Sequence, residues 1–217
     1  MILKHFSAAA AALLFSVSAY AGSYDEAISA AVTNDADALA PLLEKGFDPN
    51  TTTTGGTGES LLMLAIRNQS GNVVDLLLKQ KKLNVDQSNA LNETPLMIAI
   101  ILKDNPLAKK LIARGANVNN NPHLWSPLHY AASTGNKDMV AYLISKGADV
   151  NARTLRGFTP LYMAARDADS KIVQMLLQAG ARKDFCTNDE LAPYDIAKQR
   201  HPDSKEVLKL LEYDHCR

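Results

Sequence analysis

The chain has 217 residues, of which 47% are hydrophobic, and its 23 lysines and arginines balance its 23 aspartates and glutamates. A protein that binds nucleic acid normally carries an excess of basic residues to neutralise phosphates, so this balance argues against nucleic acid as a partner. Lys79, Lys81 and Lys82 form a local basic cluster, which we interpret as a solvated helix end.

The first 21 residues have the pattern of an export signal. Lys4 precedes a mostly apolar run over residues 6–17, and Ala19-Tyr20-Ala21 has the small-x-small pattern of a signal-peptidase site. We therefore predict a cleaved signal peptide over residues 1–21 and a periplasmic protein. An uncleaved anchor or a buried helix is the alternative, but the run is shorter than the roughly 18 to 20 residues that span a bilayer. No later segment reaches that length, so we expect no membrane insertion after cleavage.

Two short helices are predicted within residues 23–50. Their apolar residues recur at i, i+3 and i+4, and they are Ala27, Ala30 and Ala31, then Leu39, Leu42 and Leu43. The threonines and glycines of residues 51–58 predict a mobile hairpin or loop. These glycines could suggest a phosphate cradle, but no Gly-Lys-Ser/Thr or G-x-G-x-x-G motif follows them.

A motif of Ser or Thr followed by Pro-Leu then recurs every 32 or 33 residues, at Thr94, Ser126 and Thr159. In the middle copy Ser126 is suited to accept from the amides of a first helical turn, and Pro127 occupies the first helical position, where no N–H is needed. Two apolar stripes follow, Leu128, Ala131 and Ala132, then Val140, Leu143 and Ile144. Gly147 is expected to end the second helix in a left-handed conformation. Each copy thus predicts a pair of short helices.

The period and the motif resemble the ankyrin-repeat family, whose units carry a T-P-L-H-x-A core. The resemblance covers nearly all of the chain after residue 21, and it implies an all-α ankyrin-repeat solenoid of about six helix-turn-helix units, caps included, with β-hairpin fingers. Residues 22–217 then form a single ankyrin-repeat domain. Its predicted parts are an N-terminal cap over 23–50, repeats over 51–86, 87–119, 120–151 and 152–184, and a C-terminal cap over 185–217.

Cys186 and Cys216 are the only cysteines. An exported chain enters a compartment in which disulfides persist, so we predict a bridge that ties the end of the last helix back to its hairpin. Two unpaired thiols are the alternative. A redox-active pair is disfavoured, because the cysteines are far apart in sequence and form no C-x-x-C motif.

The sequence contains no recognisable catalytic constellation. The motifs H-E-x-x-H and G-x-S-x-G and a paired-cysteine zinc spacing are absent, and the histidines are scattered. His129 occupies the histidine position of the ankyrin motif, which implies a hydrogen bond to the hairpin backbone rather than metal ligation. We predict a protein that is not an enzyme and binds neither a metal nor a cofactor.

The resemblance also implies where a partner binds. Ankyrin proteins usually bind partner proteins with their hairpin tips and the exposed side of the first helix of each pair, a concave surface. Exposed apolar patches with Trp and Arg are typical of binding hot spots. The predicted partner-binding residues are Leu91, Glu93, Ile101, Leu102, His123, Trp125, Leu155, Arg156, Phe158 and Arg166. For Trp125 and Phe158, the alternative is that both rings pack between the fingers.

Three functions follow from this reading. The first is an exported protein, monomeric when free, that binds one partner protein. In its specific version the protein is an immunity or inhibitor protein that occupies the active cleft of a toxic, secreted effector enzyme. The second is a periplasmic accessory protein that supports an oxidative-stress defence enzyme. The third, an enzyme, is disfavoured because residues that would perform the chemistry are missing.

Overall fold

The computed structural model describes residues 22–119, 123–167 and 169–213. This part of the chain is all-α, as predicted. Its helices are α1 (22–33), α2 (Ala36–Glu44), α3 (Leu61–Arg67), α4 (Gly71–Leu78), α5 (Pro95–Ile101), α6 (Asn105–Ala113), α7 (Pro127–Ser133), α8 (Lys137–Ser145), α9 (Pro160–Arg166), α10 (Ser170–Gln178), α11 (Pro193–Arg200) and α12 (Lys205–Leu211). None of these helices is long and apolar enough to cross a membrane. The predicted signal peptide, residues 1–21, lies outside the described residues and stays a prediction.

The chain divides into two compact units, Met1–Asn89 (unit 1) and Ala90–Arg217 (unit 2). In unit 1, α4 contacts both α2 and α3. The apolar faces predicted within residues 23–50 are buried, with Leu43 half-buried as the exception, and α3 and α4 bury apolar residues at the same i, i+3, i+4 spacing. The buried residues are Ala27, Ala30, Ala31, Leu39, Leu42, Leu62, Ala65, Ile66, Val74, Leu77 and Leu78.

Residues 52–60 of unit 1 form a hairpin whose two ends make an antiparallel bridge. The Thr53 N–H donates to the Glu59 carbonyl at 2.8 Å. The Thr54 N–H donates to the hydroxyl of Tyr24, a residue of α1, at 2.8 Å. The first helix therefore holds the hairpin, a contact that the threonine and glycine content of this segment does not predict.

Unit 2 contains four helix pairs. The first helices of the pairs, α5, α7, α9 and α11, contact one another in chain order, and the second helices α8, α10 and α12 do the same. The leucines of the repeated motif, Leu96, Leu128 and Leu161, are completely buried between them. Burial of these motif positions against neighbouring pairs explains why the same pattern recurs along the sequence.

The helices of unit 2 begin largely as predicted. The hydroxyls of Thr94 and Thr159 accept from the amides three residues later, and each threonine is followed by the proline that starts its helix. Ser126 differs from the prediction, because its hydroxyl lies 2.8 Å from Nδ1 of His129 and hydrogen-bonds the imidazole. Gly147 has φ +84° after α8, which confirms the predicted left-handed stop.

Three asparagines, Asn50, Asn119 and Asn151, each join their own turn to the next turn along the chain. In each case the side-chain Nδ2 donates to a carbonyl about one repeat away, and Oδ1 accepts from an amide two residues beyond it. The carbonyl and amide partners are Lys82 and Asn84 for Asn50, Gly147 and Asp149 for Asn119, and Gly180 and Arg182 for Asn151, at distances of 2.7–3.2 Å. The sequence analysis did not identify this role.

We expect Asn151→Ala to lower the free energy of unfolding by about 1–2 kcal/mol, because both side-chain hydrogen bonds are lost. Urea denaturation followed by circular dichroism measures the change. Asn72→Ala is the matched control, since Asn72 is an exposed residue of α4 whose bond to Asn34 is made by its backbone N–H, which alanine keeps. It should change stability by less than about 0.5 kcal/mol. Equal stability of the two variants would contradict the proposed contribution of the bridge.

The last helix pair departs from the motif, and its role as a C-terminal cap stays a prediction. Ala192 has no oxygen with which to cap α11, and Asp195 replaces it by accepting from the Ala192 N–H at 2.8 Å. The Tyr213 hydroxyl donates to the same carboxylate oxygen, also at 2.8 Å. Burial, together with the hydrogen bond to Asp195 and its charge, raises the pKa of Tyr213 to about 12. The two residues thus connect the segment after α12 to the start of α11.

Candidate partner-binding face

The ten predicted partner-binding residues, called the binding face below, all belong to unit 2. Leu91, Leu102 and Leu155 are 63%, 45% and 72% exposed, and they are the exposed large apolar residues among the described residues of this unit. His123 and Arg156 are also exposed. The remaining members are half-buried, and they are Glu93, Ile101, Trp125, Phe158 and Arg166. The structure therefore keeps apolar side chains in solvent at the predicted positions.

The finger formed by residues 154–158 presents Leu155 and Arg156 at its tip. The Thr154 N–H donates to the Phe158 carbonyl at 3.0 Å, and the Gly157 N–H donates to the Thr154 carbonyl at 2.8 Å. These two bonds close a tight turn around the two tip residues. These bonds therefore fix the backbone that carries the exposed leucine and arginine.

Successive fingers are joined by backbone hydrogen bonds. The Leu155 N–H donates to the His123 carbonyl at 2.8 Å, and the Asn188 N–H donates to the Arg156 carbonyl at 3.0 Å. The structure thus brings together His123, Leu155 and Arg156 of the binding face. Four other members lie around α5, the helix that contacts α7. Leu91 and Glu93 precede α5, Ile101 is its last residue, and Leu102 follows it.

Gly157 lies where two fingers approach most closely. A Cβ atom at this position would lie 2.9 Å from the Thr187 Cα and 3.0 Å from the Cys186 carbonyl oxygen, and the residue has φ +81°. Only glycine satisfies both the space and the backbone conformation without strain. The separation of the fingers that carry Leu155 and Asn188 therefore depends on this residue.

Trp125 and Phe158 each contact aromatic side chains of the helix that follows them. The Trp125 ring lies 5.2 Å from the ring of Tyr130 and 5.6 Å from that of His129. The Phe158 ring lies 5.1 Å from that of Tyr162. Both side chains remain half-buried, so neither is sealed inside the protein. Packing and binding are thus compatible for these rings, and their role in binding stays a prediction.

His129 makes the hydrogen bond to the hairpin backbone that the motif implies. Its Nε2 lies 3.0 Å from the Phe158 carbonyl oxygen, and its Nδ1 lies 3.1 Å from the Ser126 amide nitrogen. Since a carbonyl can only accept and an amide N–H can only donate, Nε2 carries the proton and Nδ1 is the acceptor. The neutral ring thus joins the start of α7 to the next finger.

The environment of His129 favours the neutral ring. Its side chain is completely buried. Burial lowers the pKa of His129 from 6.5 to about 4, against smaller opposing effects from the Phe158 carbonyl and the charge of Asp149. The imidazole is therefore uncharged at neutral pH.

Arg166 ends α9 with its guanidinium held by its neighbour Asp167. Nη2 lies 3.0 Å from Oδ2 of this aspartate, and Nε lies 3.2 Å from Oδ1. The Arg166 carbonyl also lies 3.0 Å from Nε2 of His201. Solvent-accessible pairs of this kind contribute only about 0–1 kcal/mol, so this pair adds little to the stability of α9.

Other predicted sites are only partly covered by the structure. Cys186 is buried and is not a free thiol, but Cys216 lies outside the described residues, so the disulfide stays a prediction. His215 also lies outside them. Among the described residues, no group of three or more histidine, cysteine or acidic side chains is arranged to hold a metal ion.

A family model for ankyrin repeats in three copies matches residues 27–122 and 102–189. Among curated proteins, the ankyrin repeat and SAM domain-containing protein 6 of Mus musculus is 31% identical over 176 residues. These residues are 76% of this chain and 20% of that protein. Tyrosine-protein kinase Shark of Drosophila melanogaster is 32% identical over 80% of this chain and 18% of its own length. The chain thus spans about a fifth of the length of these relatives.

Two solved structures share the fold along most of the chain. The human ASB11 ankyrin repeat domain superposes with a TM-score of 0.70 at 25% identity, covering 85% of this chain and 81% of that domain. A chain from the complex of the Bdellovibrio bacteriovorus predatory endopeptidase Bd0816 with immunity protein Bd3460 gives a TM-score of 0.71 at 26% identity. This second match covers 86% of the present chain and 96% of the other.

Proposed function

Because the chain belongs to the ankyrin-repeat family, whose repeats are protein-interaction modules, we propose that it binds one partner protein through the binding face of unit 2. The observation that carries this proposal is the exposure of Leu91, Leu102 and Leu155. Large apolar side chains that lie in solvent cost free energy in the isolated protein and gain it when a partner covers them. The half-buried Trp125 and Arg166 provide the residue types that dominate interface energetics.

In a more specific version, the protein is an inhibitor or immunity protein that blocks a secreted effector enzyme. The likeness to a chain of the endopeptidase and immunity protein complex supports this version, because it extends over 96% of that chain. Exposed leucines on rigid finger tips suit insertion into an enzyme cleft, since pre-organised side chains lose little conformational entropy on binding.

We further propose that the protein is exported to the periplasm by residues 1–21 and is monomeric when free. The apolar run and the Ala19-Tyr20-Ala21 site support export. Export would also allow the bridge between Cys186 and Cys216 to form. Mass spectrometry of the protein purified from its own cell envelope tests both features. Retention of residues 1–21, or alkylation of two thiols without reductant, would contradict them.

We expect Leu155→Asp to reduce capture of the partner at least tenfold, because an exposed tip residue would then carry a charge into an apolar interface. The measurement is a pull-down from the envelope fraction of the source cell with the mature chain as bait. Ala141→Asp is the matched control, because Ala141 is an exposed residue of α8, outside the binding face. Circular dichroism should show the same helical signal in both variants.

The identity of the captured protein distinguishes the versions of this proposal. A secreted hydrolytic enzyme whose activity falls on binding would support inhibition, and an oxidative-stress defence enzyme would support the accessory role. If Leu155→Asp captures the same protein as efficiently as Ala141→Asp does, this finger tip is not part of the binding surface.

A further inference from the structure

His129 lies beneath the binding face and contacts two parts of it. Its Nε2 donates to the carbonyl of Phe158, in the finger whose tip is Leu155. Its Nδ1 accepts from the N–H of Ser126, the residue that follows Trp125, and the imidazole and indole centroids are 5.6 Å apart. Displacement of this one ring would therefore remove support from both Trp125 and the 154–158 finger.

On the basis of the function proposed above, we propose that His129 is a positioning residue of the binding face, and that protonation of its Nδ1 breaks the contacts that this ring makes with Trp125 and the 154–158 finger, while Trp125 keeps its contact with Tyr130 on α7. A proton on Nδ1 turns the acceptor of the Ser126 N–H into a second donor, so that hydrogen bond is lost, and the Ser126 hydroxyl, 2.8 Å from Nδ1, must change from donor to acceptor. It also creates a charge in a completely buried site. The imidazolium gains hydration by moving toward solvent, and in doing so it gives up the Phe158 carbonyl as well.

The charges around the His129 ring do not compensate for the cost of burying its protonated form. Asp149 is the group whose charge favours the imidazolium, but burial outweighs it and keeps the pKa of His129 at about 4. Helix α5 has no ionisable side chain. The other ionisable side chains on α7, α8, α9 and the 154–158 finger are Tyr130, Lys137, Asp138, Tyr142, Arg156, Tyr162 and Arg166. The contact is therefore closed at neutral pH and opens in acid.

His129 is the third residue of α7, and the third residues of α3, α5, α9 and α11 are not histidines. Met63 and Met97 occupy them in α3 and α5, are completely buried, and cannot take up a proton. Tyr162 occupies the position in α9, where burial raises its pKa. Asp195 at the start of α11 caps its helix instead. Among these equivalent helix positions, an imidazole that contacts a finger is thus found at His129, whereas His201 bonds the carbonyl at the end of α9.

Trp125 is the only tryptophan of the chain, so its fluorescence reports on the binding face alone. In the wild-type protein we expect its emission to shift to the red and acrylamide quenching to increase, with a midpoint between about pH 5 and 4, while the far-UV circular dichroism signal is unchanged. The non-titrating variant His129→Gln should lack this transition. His201→Gln is the matched control, because His201 also bonds a helix carbonyl, that of Arg166. It should retain the transition.

Persistence of the transition in His129→Gln would overturn the proposal, as would a wild-type emission change that occurs only together with loss of the helical signal. If His129→Gln does not fold, the NMR titration of the His129 Cε1 proton in the wild-type protein decides the question. Its midpoint must coincide with that of the Trp125 emission, and a different midpoint overturns the proposal. None of these measurements needs the partner, so failure to capture a partner and failure of this proposal remain distinguishable.

Discussion

Gly157→Ala should destabilise the protein by about 2–4 kcal/mol. Part of this cost, on the order of 1 kcal/mol, arises because alanine must adopt φ near +81°. The rest arises because its Cβ would lie 2.9 Å from the Thr187 Cα and 3.0 Å from the Cys186 carbonyl oxygen, so two stretches of backbone must move apart. Overpacking of this kind typically costs about 1–3 kcal/mol.

Gly147→Ala separates the two contributions. Gly147 has nearly the same φ, +84°, but nothing lies within 4 Å of the position of its Cβ. This control should therefore lose only about 1 kcal/mol, the cost of the backbone conformation. Urea unfolding of both variants followed by circular dichroism gives the comparison. Equal losses would show that the fingers accommodate a methyl group and that their close approach at Gly157 is not a constraint.

The second large effect expected is a loss of stability in acid that originates at His129. Its pKa is about 4 in the folded protein, below the ordinary value of 6.5. Between these two values the unfolded chain binds more protons than the folded one. The stability from this residue is therefore fully present above pH 6.5 and is lost as the pH falls toward 4. A difference of this size between the two pKa values corresponds to roughly 3 kcal/mol in the free energy of unfolding.

Other groups also titrate in this range, so the effect is measured as a difference between two proteins. The free energy of unfolding of wild type and of His129→Gln is determined in urea at pH 7 and at pH 4.5. Glutamine can hydrogen-bond but does not take up a proton in this range. From pH 7 to pH 4.5, the free energy of unfolding should therefore fall by roughly 2–3 kcal/mol less in the variant than in wild type. Equal losses in the two proteins would mean that His129 is not responsible for the acid sensitivity.

The sequence predicted the helix pairs, their apolar faces and the left-handed stop at Gly147 well. These features depend on residues three or four apart and on a motif that returns at a constant interval, and both are visible along the chain. The burial of Leu96, Leu128 and Leu161 follows from the same pattern. The hydrogen bond from His129 to a hairpin was also expected, because the resemblance to ankyrin repeats assigns it to that position.

The candidate site was predicted less completely. The motif placed Leu91, Leu102 and Leu155 at tips and helix ends, and the structure leaves them exposed. It did not reveal that Trp125 and Phe158 contact aromatic side chains of neighbouring helices and yet stay half-buried. Whether a ring is buried or half-buried depends on side chains from neighbouring elements, and one-dimensional spacing carries no information about them.

Several decisive contacts exist only in the tertiary structure. The Asn151 side chain reaches a carbonyl 29 residues away, and the imidazole of His129 reaches the Phe158 carbonyl at the same separation. In the sequence Gly157 looks like any turn glycine, and only the approach of the next finger shows why a Cβ has no room there. Local pattern thus determined which segments are helices and which faces are buried. The packing of one repeat on the next decided the finger positions and the protonation state of His129, because long-range distances and burial set both.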